Sequence, residues 1–225
     1  MSKILGIETS TKICSVAVSD GNKLLALKEE GGEYSHSEKL TVFIQEVLKK
    51  AALELENIDA VAVSKGPGSY TGLRIGVSVA KGLCYALNKP LIAVDTLQAM
   101  ALGEINKADL CAPMIDARRM EVYTALYDNN NETVQPVSAK IIDDSSFSEE
   151  LTNKKVVFFG DGADKCKEIL VRNPNAIFSD GGLPSAQYIN QIAFEKFNKN
   201  QFENVAYFEP YYLKDFVATT AKKLL

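Results

Sequence analysis

The stretch Ser64–Gly76, SKGPGSYTGLRIG, sets Gly66, Gly68, Gly72 and Gly76 between an apolar run and a helical pattern. Glycines at a strand-to-helix junction can cradle phosphate, because free backbone N–H groups and the helix N-terminus both attract an anion. The spacing fits neither phosphate motif. A P-loop needs lysine directly after its last glycine, and Gly72 is followed by Leu73 and Arg74. A dinucleotide fingerprint needs G-x-G-x-x-G. Gly66 and Gly68 satisfy its start, but Thr71 holds the third position and Gly72 comes one place late. The other reading is conformational. Pro67 fixes its own φ and restricts Gly66, while Gly68 permits a positive φ, which gives a sharp strand-to-helix turn. This turn-and-packing reading is preferred to phosphate binding.

Other groups invite the same weighing. Glu8, Thr9, Ser10 and Thr11 end the first apolar run; their hydroxyls could hold a phosphate or satisfy turn backbone. In FFGDGADK, Gly160 and Gly162 suit a tight turn, with Asp161 or Asp164 capping the next helix. Asp116, Arg118 and Arg119 form a charged corner: a solvated turn, or a contact for a phosphate or a partner carboxylate. His36 is the chain's one histidine and is read as part of a helix start; no HExxH occurs, so zinc-protease chemistry lacks its residues. Cys14, Cys84, Cys111 and Cys166 form no CxxC pair and are expected to be buried and reduced. No metal site and no catalytic residue is expected. The net charge of −4 argues against an extended grip on nucleic acid. With no leader or membrane-spanning run expected, the reading is cytoplasmic.

The elements that must position these residues follow from pattern. KILGIETS, CSVAVSD and KLLALKEE read as three strands, the last two joined by the turn Asp20–Asn22. Ser35 and Glu38 form a capping box for a helix with Leu40, Phe43, Ile44, Val47 and Leu48 at helical spacing. IDAVAVS is a buried strand, and a helix runs from about Ser69 to Asn88. That helix is apolar on nearly every side, apart from a stripe of Arg74, Ser78, Lys81 and Tyr85, so burial on more than one face is expected. Gly72, Gly76 and Ala80 recur every fourth residue, as do Ser78, Gly82 and Ala86, and such stripes permit close backbone approach. PLIAVDT is a strand; DTLQAMALGE is a short helix with Asp95 and Gln98 as its cap pair and Gly103 near its end. From about residue 105 a second strand-first unit begins: LCAPMIDA, MEVYTALYD and TVQPVSAKII, a helix at SSFSEEL, the strand KVVFFGDGA, a helix at DKCKEILVRN and a strand at AIFSD. SAQYINQIAFEKFNK is the last long helix, and the aromatic-rich tail docks on the body before fraying at its Lys-rich end.

This order of elements resembles the actin-like (ASKHA) duplicated ribonuclease-H-like fold. ILGIETSTKICSVAVSD, SHSEKL, SKGPGSYTGLRIGVSVAKGL, PLIAVDTL, MIDARRMEVYTALY and EPYYLK are similar to the TsaB (YeaZ) family over nearly the whole chain. The resemblance implies an α/β protein with two mixed sheets, each flanked by helices. Residues 1–104, completed by a C-terminal helix from about 185–225, form a partner-binding unit, and 105–184 a smaller one. It further implies a role in making threonylcarbamoyladenosine beside the tRNA anticodon, as the non-catalytic partner of the paralogue TsaD, with the ATPase TsaE as third member. TsaD carries two metal-binding histidines where this chain has Thr96 and Met100, and neither replaces imidazole. Actin-like ATPases set an Asp near Glu8, and that fold touches adenosine near Gly160, Asp161 and Gly162, so ATP with magnesium is an alternative rather than a required cofactor. The implied partner surface comprises Leu40, Phe43, Tyr70, Leu73, Arg74, Gly76, Val77, Ala80, Lys81 and Cys84. Bulky residues at Gly76 or Ala80 are then expected to abolish pairing and leave the monomer folded. The alone-state can be a homodimer, and contact with tRNA is indirect or weak. The competing readings are an ATP-dependent phosphotransferase or acyltransferase and, weakest, a glycoprotease-like peptidase.

Overall fold

A computed structural model describes residues 2–32 and 36–214. The chain opens with β1 (Lys3–Glu8), β2 (Ile13–Asp20) and β3 (Lys23–Gly31), followed by α1 (His36–Lys50), β4 (Ala60–Gly66), α2 (Tyr70–Leu87), β5 (Leu91–Asp95) and α3 (Thr96–Leu102). Then come β6 (Leu110–Asp116), β7 (Glu121–Tyr127), β8 (Thr133–Ile141), α4 (Ser148–Asn153), β9 (Val156–Phe159), the four-residue α5 (Lys167–Leu170), β10 (Ala176–Phe178) and α6 (Ala186–Asn198).

The strands form two sheets in the orders β3-β2-β1-β4-β5 and β8-β7-β6-β9-β10. In each, the first three strands pair antiparallel and the last two join parallel. Both sheets are therefore mixed and share one topology, so the second unit repeats the first, as the duplicated fold requires.

Period-two alternation sorts the first sheet's side chains onto two faces. Leu5, Ile7, Cys14, Val16, Val18, Val61 and Val63 meet α1 and α2. Ile4, Ala60, Ala62, Ile92 and Val94 meet Ile189, Ile192 and Ala193 of α6. The last long helix thus returns to the first sheet, but it ends at Asn198 and residues 199–214 are not helical, so the expected C-terminal helix from about 185–225 is shorter than the sequence suggests. Its Asn190 amide donates to Ile4 O (3.2 Å), and a Cβ at Gly6 would lie 2.2 Å from Asn190 Oδ1. The second sheet covers one face with Phe147, Leu151, Cys166 and Leu170, and turns the other toward α3. Short α3 serves both sheets: Ala99 joins the first sheet's core, while Leu97, Met100 and Ala101 pack with Cys111, Ile115 and Tyr127 of the second.

Some local expectations are corrected. Asp95 is the N-cap residue of α3 but makes no capping bond, because its carboxylate is drawn to Lys65 at 3.1 Å; Gln98 donates to Asn131 O instead. Gly103 ends α3 with a right-handed φ of −71°, and its small size serves Tyr188, whose ring a Cβ would meet at 3.1 Å. The expected helix DKCKEILVRN shrinks to a 3-10 turn and α5, and neither Asp161 nor Asp164 caps it: the residue before the turn is Ala163. Ser35 and the Lys-rich tail end lie outside the described residues.

Candidate functional site

The glycine stretch fits against the chain's own first turn. The Thr9 hydroxyl donates to Gly72 O (2.8 Å), and the Ser69 N–H donates to Ser10 O (2.6 Å). A Cβ would lie 2.4 Å from Ser10 O at Gly68, 2.0 Å from Thr9 O at Gly72 and 2.3 Å from Thr9 Oγ1 at Gly76. Real Cβ atoms do not come so close, so these positions admit only glycine while the turn stays where it is. At Gly66, φ is +117° and Tyr211 O would lie 2.6 Å from a Cβ. Ser69 caps α2 through its hydroxyl, which accepts from the Gly72 N–H (3.3 Å). The start of α2, where an anion would seek free N–H groups, is therefore packed with the chain's own carbonyls. Turn and packing explain all four glycines, with the positive φ falling on Gly66 and not on Gly68.

This arrangement corrects part of the expected partner surface. Leu40, Phe43, Leu73, Gly76, Val77, Ala80 and Cys84 are buried in the chain's own core. The Gly72, Gly76 and Ala80 stripe faces inward, so bulk at Gly76 strikes Thr9 and not a partner helix. Tyr70, Arg74 and Lys81 do reach the surface, where the tail engages them. Arg74 Nε donates to the Tyr212 hydroxyl (3.3 Å), and Lys81 donates to Phe208 O (2.8 Å). Sequence reasoning missed how much of the outer face of α2 stays open: Thr71, Ser78, Gly82, Tyr85 and Ala86 are exposed, Tyr85 to 86%.

The nucleotide candidates divide as well. Glu8 is fully buried at the end of β1, and its Oε1 accepts from the Ser10 N–H at 2.5 Å. Burial raises its pKa, opposed by Ser10 and by the Ser64 hydroxyl. Among the described residues Glu8 Oε2 has no hydrogen-bond partner. Thr9 and Ser10 are equally enclosed. Thr11 and Asp161 line a cleft of about 570 Å³, together with Lys12, Glu29, Glu30 and Ser185. Gly160 and Gly162 turn toward β6, where a Cβ would lie 2.4 Å from Met114 O and 2.9 Å from the Ile115 carbonyl carbon respectively. Asp161 Oδ1 accepts from the Asp116 N–H (3.0 Å). Burial opposes the Asp116 charge, but Lys165 and the Arg118 N–H outweigh it and hold its pKa low.

Of these candidates, Thr11 and Asp161 reach the open cleft. The acid at the end of β1 is sealed away, the glycines are filled by neighbouring backbone, and the cleft presents Glu29, Glu30 and Asp161 against Lys12.

His36 is held by the same turn. A carbonyl oxygen can only accept, so Nε2 carries the hydrogen it shares with Thr11 O at 2.7 Å. Thr96 and Met100 are wholly buried, and no three His, Cys, Asp or Glu side chains gather to hold a metal among the described residues. All four cysteines are free and buried; burial pushes the Cys14, Cys84 and Cys111 thiols up to about 11, far from nucleophilic. Arg118 and Arg119 sit at the β6–β7 turn with positive φ of 70° and 52°. No described helix is long and apolar enough to cross a membrane.

A family model described as "TsaD: tRNA N6-adenosine threonylcarbamoyltransferase" matches residues 30–225. The tRNA threonylcarbamoyladenosine biosynthesis protein TsaB of Escherichia coli is 33% identical, over 96% of this chain and 96% of its own length. The chain belongs to the TsaB family. A solved Pseudomonas aeruginosa protein, described as similar to peptidase YEAZ, superposes with a TM-score of 0.82 at 26% identity, covering 95% of this chain and 100% of its own. The activator of 2-hydroxyisocaproyl-CoA dehydratase from Clostridium difficile, solved with bound ADPNP, shares the fold at a TM-score of 0.50 and 12% identity, over 88% of this chain and 97% of its own. This TsaB-family chain thus has the fold of that activator, with its glycine-rich turn closed by its own backbone.

Proposed function

We propose that this TsaB-family chain is the non-catalytic partner of a TsaD-type transferase in making threonylcarbamoyladenosine on tRNA in the cytoplasm. The observation that carries the reading is the near full-length match to TsaB proteins of that pathway. It is supported by the fate of the groups that could have done chemistry: Glu8, Thr96, Met100 and the thiols are core. In this reading residues 1–104, completed by the segment from residue 185, bind the partner through the outer side of α2, and residues 105–184 form the smaller unit. A TsaE-like ATPase is the third member, tRNA contact is indirect, and two copies of the chain pair in the partner's absence. No nucleotide is required by this chain. The ATP-binding alternative is favoured only by Thr11 and Asp161 in the cleft, and calorimetric silence at millimolar Mg-ATP would eliminate it.

The test is calorimetric titration of a TsaD-type protein with the wild-type chain and with Tyr85→Glu and Ser78→Arg. Both side chains are exposed, so the fold should keep its Tm. A central anchor lost from an interface costs about 2 kcal/mol, roughly 30-fold in affinity. Unchanged affinity in both variants would remove α2 from the interface.

A further inference from the structure

Residues 199–214 hold almost no regular structure, yet they are fastened at nearly every step. The Glu203 N–H donates to Leu91 O (2.9 Å) at the edge of the first sheet, and Lys81 donates to Ala206 O (3.3 Å) and Phe208 O (2.8 Å). The Tyr211 N–H donates to Lys65 O (2.7 Å), while the Tyr211 carbonyl lies against Gly66. The Tyr212 ring stacks 4.8 Å from Tyr70, and the Arg74 guanidinium lies 4.3 Å from the Tyr70 ring. Lys214 then crosses to the second sheet and pairs with Glu121 at the start of β7, whose carbonyl accepts from Lys165 (2.7 Å).

We propose that Tyr211–Lys214 is a latch between the two sheets: Tyr212 seats it on the first turn of α2, and Lys214 fastens it to Glu121. The fastening lies two positions beyond the seat, a reach of about 7 Å, so lifting Tyr212 from Tyr70 and Arg74 withdraws Lys214 from Glu121. The Lys214–Glu121 pair is partly exposed, with side chains 39% and 22% accessible. Such a pair is weak and salt-screened, which suits a catch that opens. Whatever engages the first turn of α2 then changes the freedom of the second sheet, and with it the cleft where Lys12 and Asp161 face one another. The inference stands on this geometry and does not depend on the TsaD-partner reading.

Amide hydrogen exchange on the full chain tests it, comparing wild type with Tyr212→Ala, Lys214→Glu, Glu121→Lys and the charge-exchanged double variant Lys214→Glu/Glu121→Lys. Each single variant should raise exchange several-fold both in residues 209–214 and at the hydrogen-bonded amides of Ile13, Asp116 and Gly162 beside the cleft, and the double variant should return both to the wild-type rate. Faster exchange confined to residues 209–214 would reduce the segment to a tail docked on α2. A double variant as open as its parents would show that the ion pair does not fasten the latch, and no change in any variant would overturn the proposal entirely.

Discussion

Glu8 ends β1 with its carboxyl group out of water and one oxygen without a partner among the described residues. Burial raises its pKa above the ordinary 4.5, so the folded chain holds this proton more tightly than the unfolded chain does. Below the ordinary value both states are protonated and the group costs nothing. As pH rises through 4.5 toward the raised folded value, the unfolded chain releases the proton first and stability falls. Glu8→Gln keeps the shape and removes the charge, so its Tm advantage over wild type should grow as pH rises from 4.5 and level off above the raised folded value. A difference in Tm that stays constant from pH 4 to pH 8 would mean that Glu8 is ionised without penalty. The residue's type and place at a strand end were legible in the sequence. Its enclosure was not, because Ser64, which stands beside the carboxyl, lies far along the chain.

At the scale of the element, α2 shows that one residue type can serve opposite purposes within a single helix. Gly72 has Thr9 O where its Cβ would be, whereas a Cβ on Gly82 would meet nothing within 4 Å. Gly72→Ala should therefore destabilise by about 1–3 kcal/mol through overpacking. Gly82→Ala, on the exposed side, should stabilise by about 0.5–1 kcal/mol through backbone entropy and helix propensity. Thermal unfolding of the two variants would check this contrast; equal effects would contradict the assignment of the inner and outer stripes. The helix's span and its Ser69 start follow from local signals. Which stripe faces inward did not, since the deciding contact joins Thr9 to Gly72, 63 residues apart. Asp95 misled for a similar reason. It stands where a cap belongs, but Lys65 on the neighbouring strand competes for its carboxylate.

For the whole molecule, the strands and the long helices were readable from period and turn chemistry, and the paired sheets followed from resemblance. Their identical strand orders make the duplication explicit. The second unit was less legible in its small helices: α5 spans four residues, because only a short apolar face packs there beneath Cys166 and Leu170. Taken together, the molecule keeps an actin-like frame, fills its glycine-rich turn with backbone and leaves the outer face of α2 open. The central claim is that such a chain supports a transferase without performing the transfer. The most direct measurement is reconstituted tRNA modification with a TsaD-type transferase, a TsaE-type ATPase and a threonylcarbamoyl-adenylate source, with this chain included or omitted. The account predicts product only when both the chain and the transferase are present. Product from the chain without the transferase would contradict it and place the catalyst here.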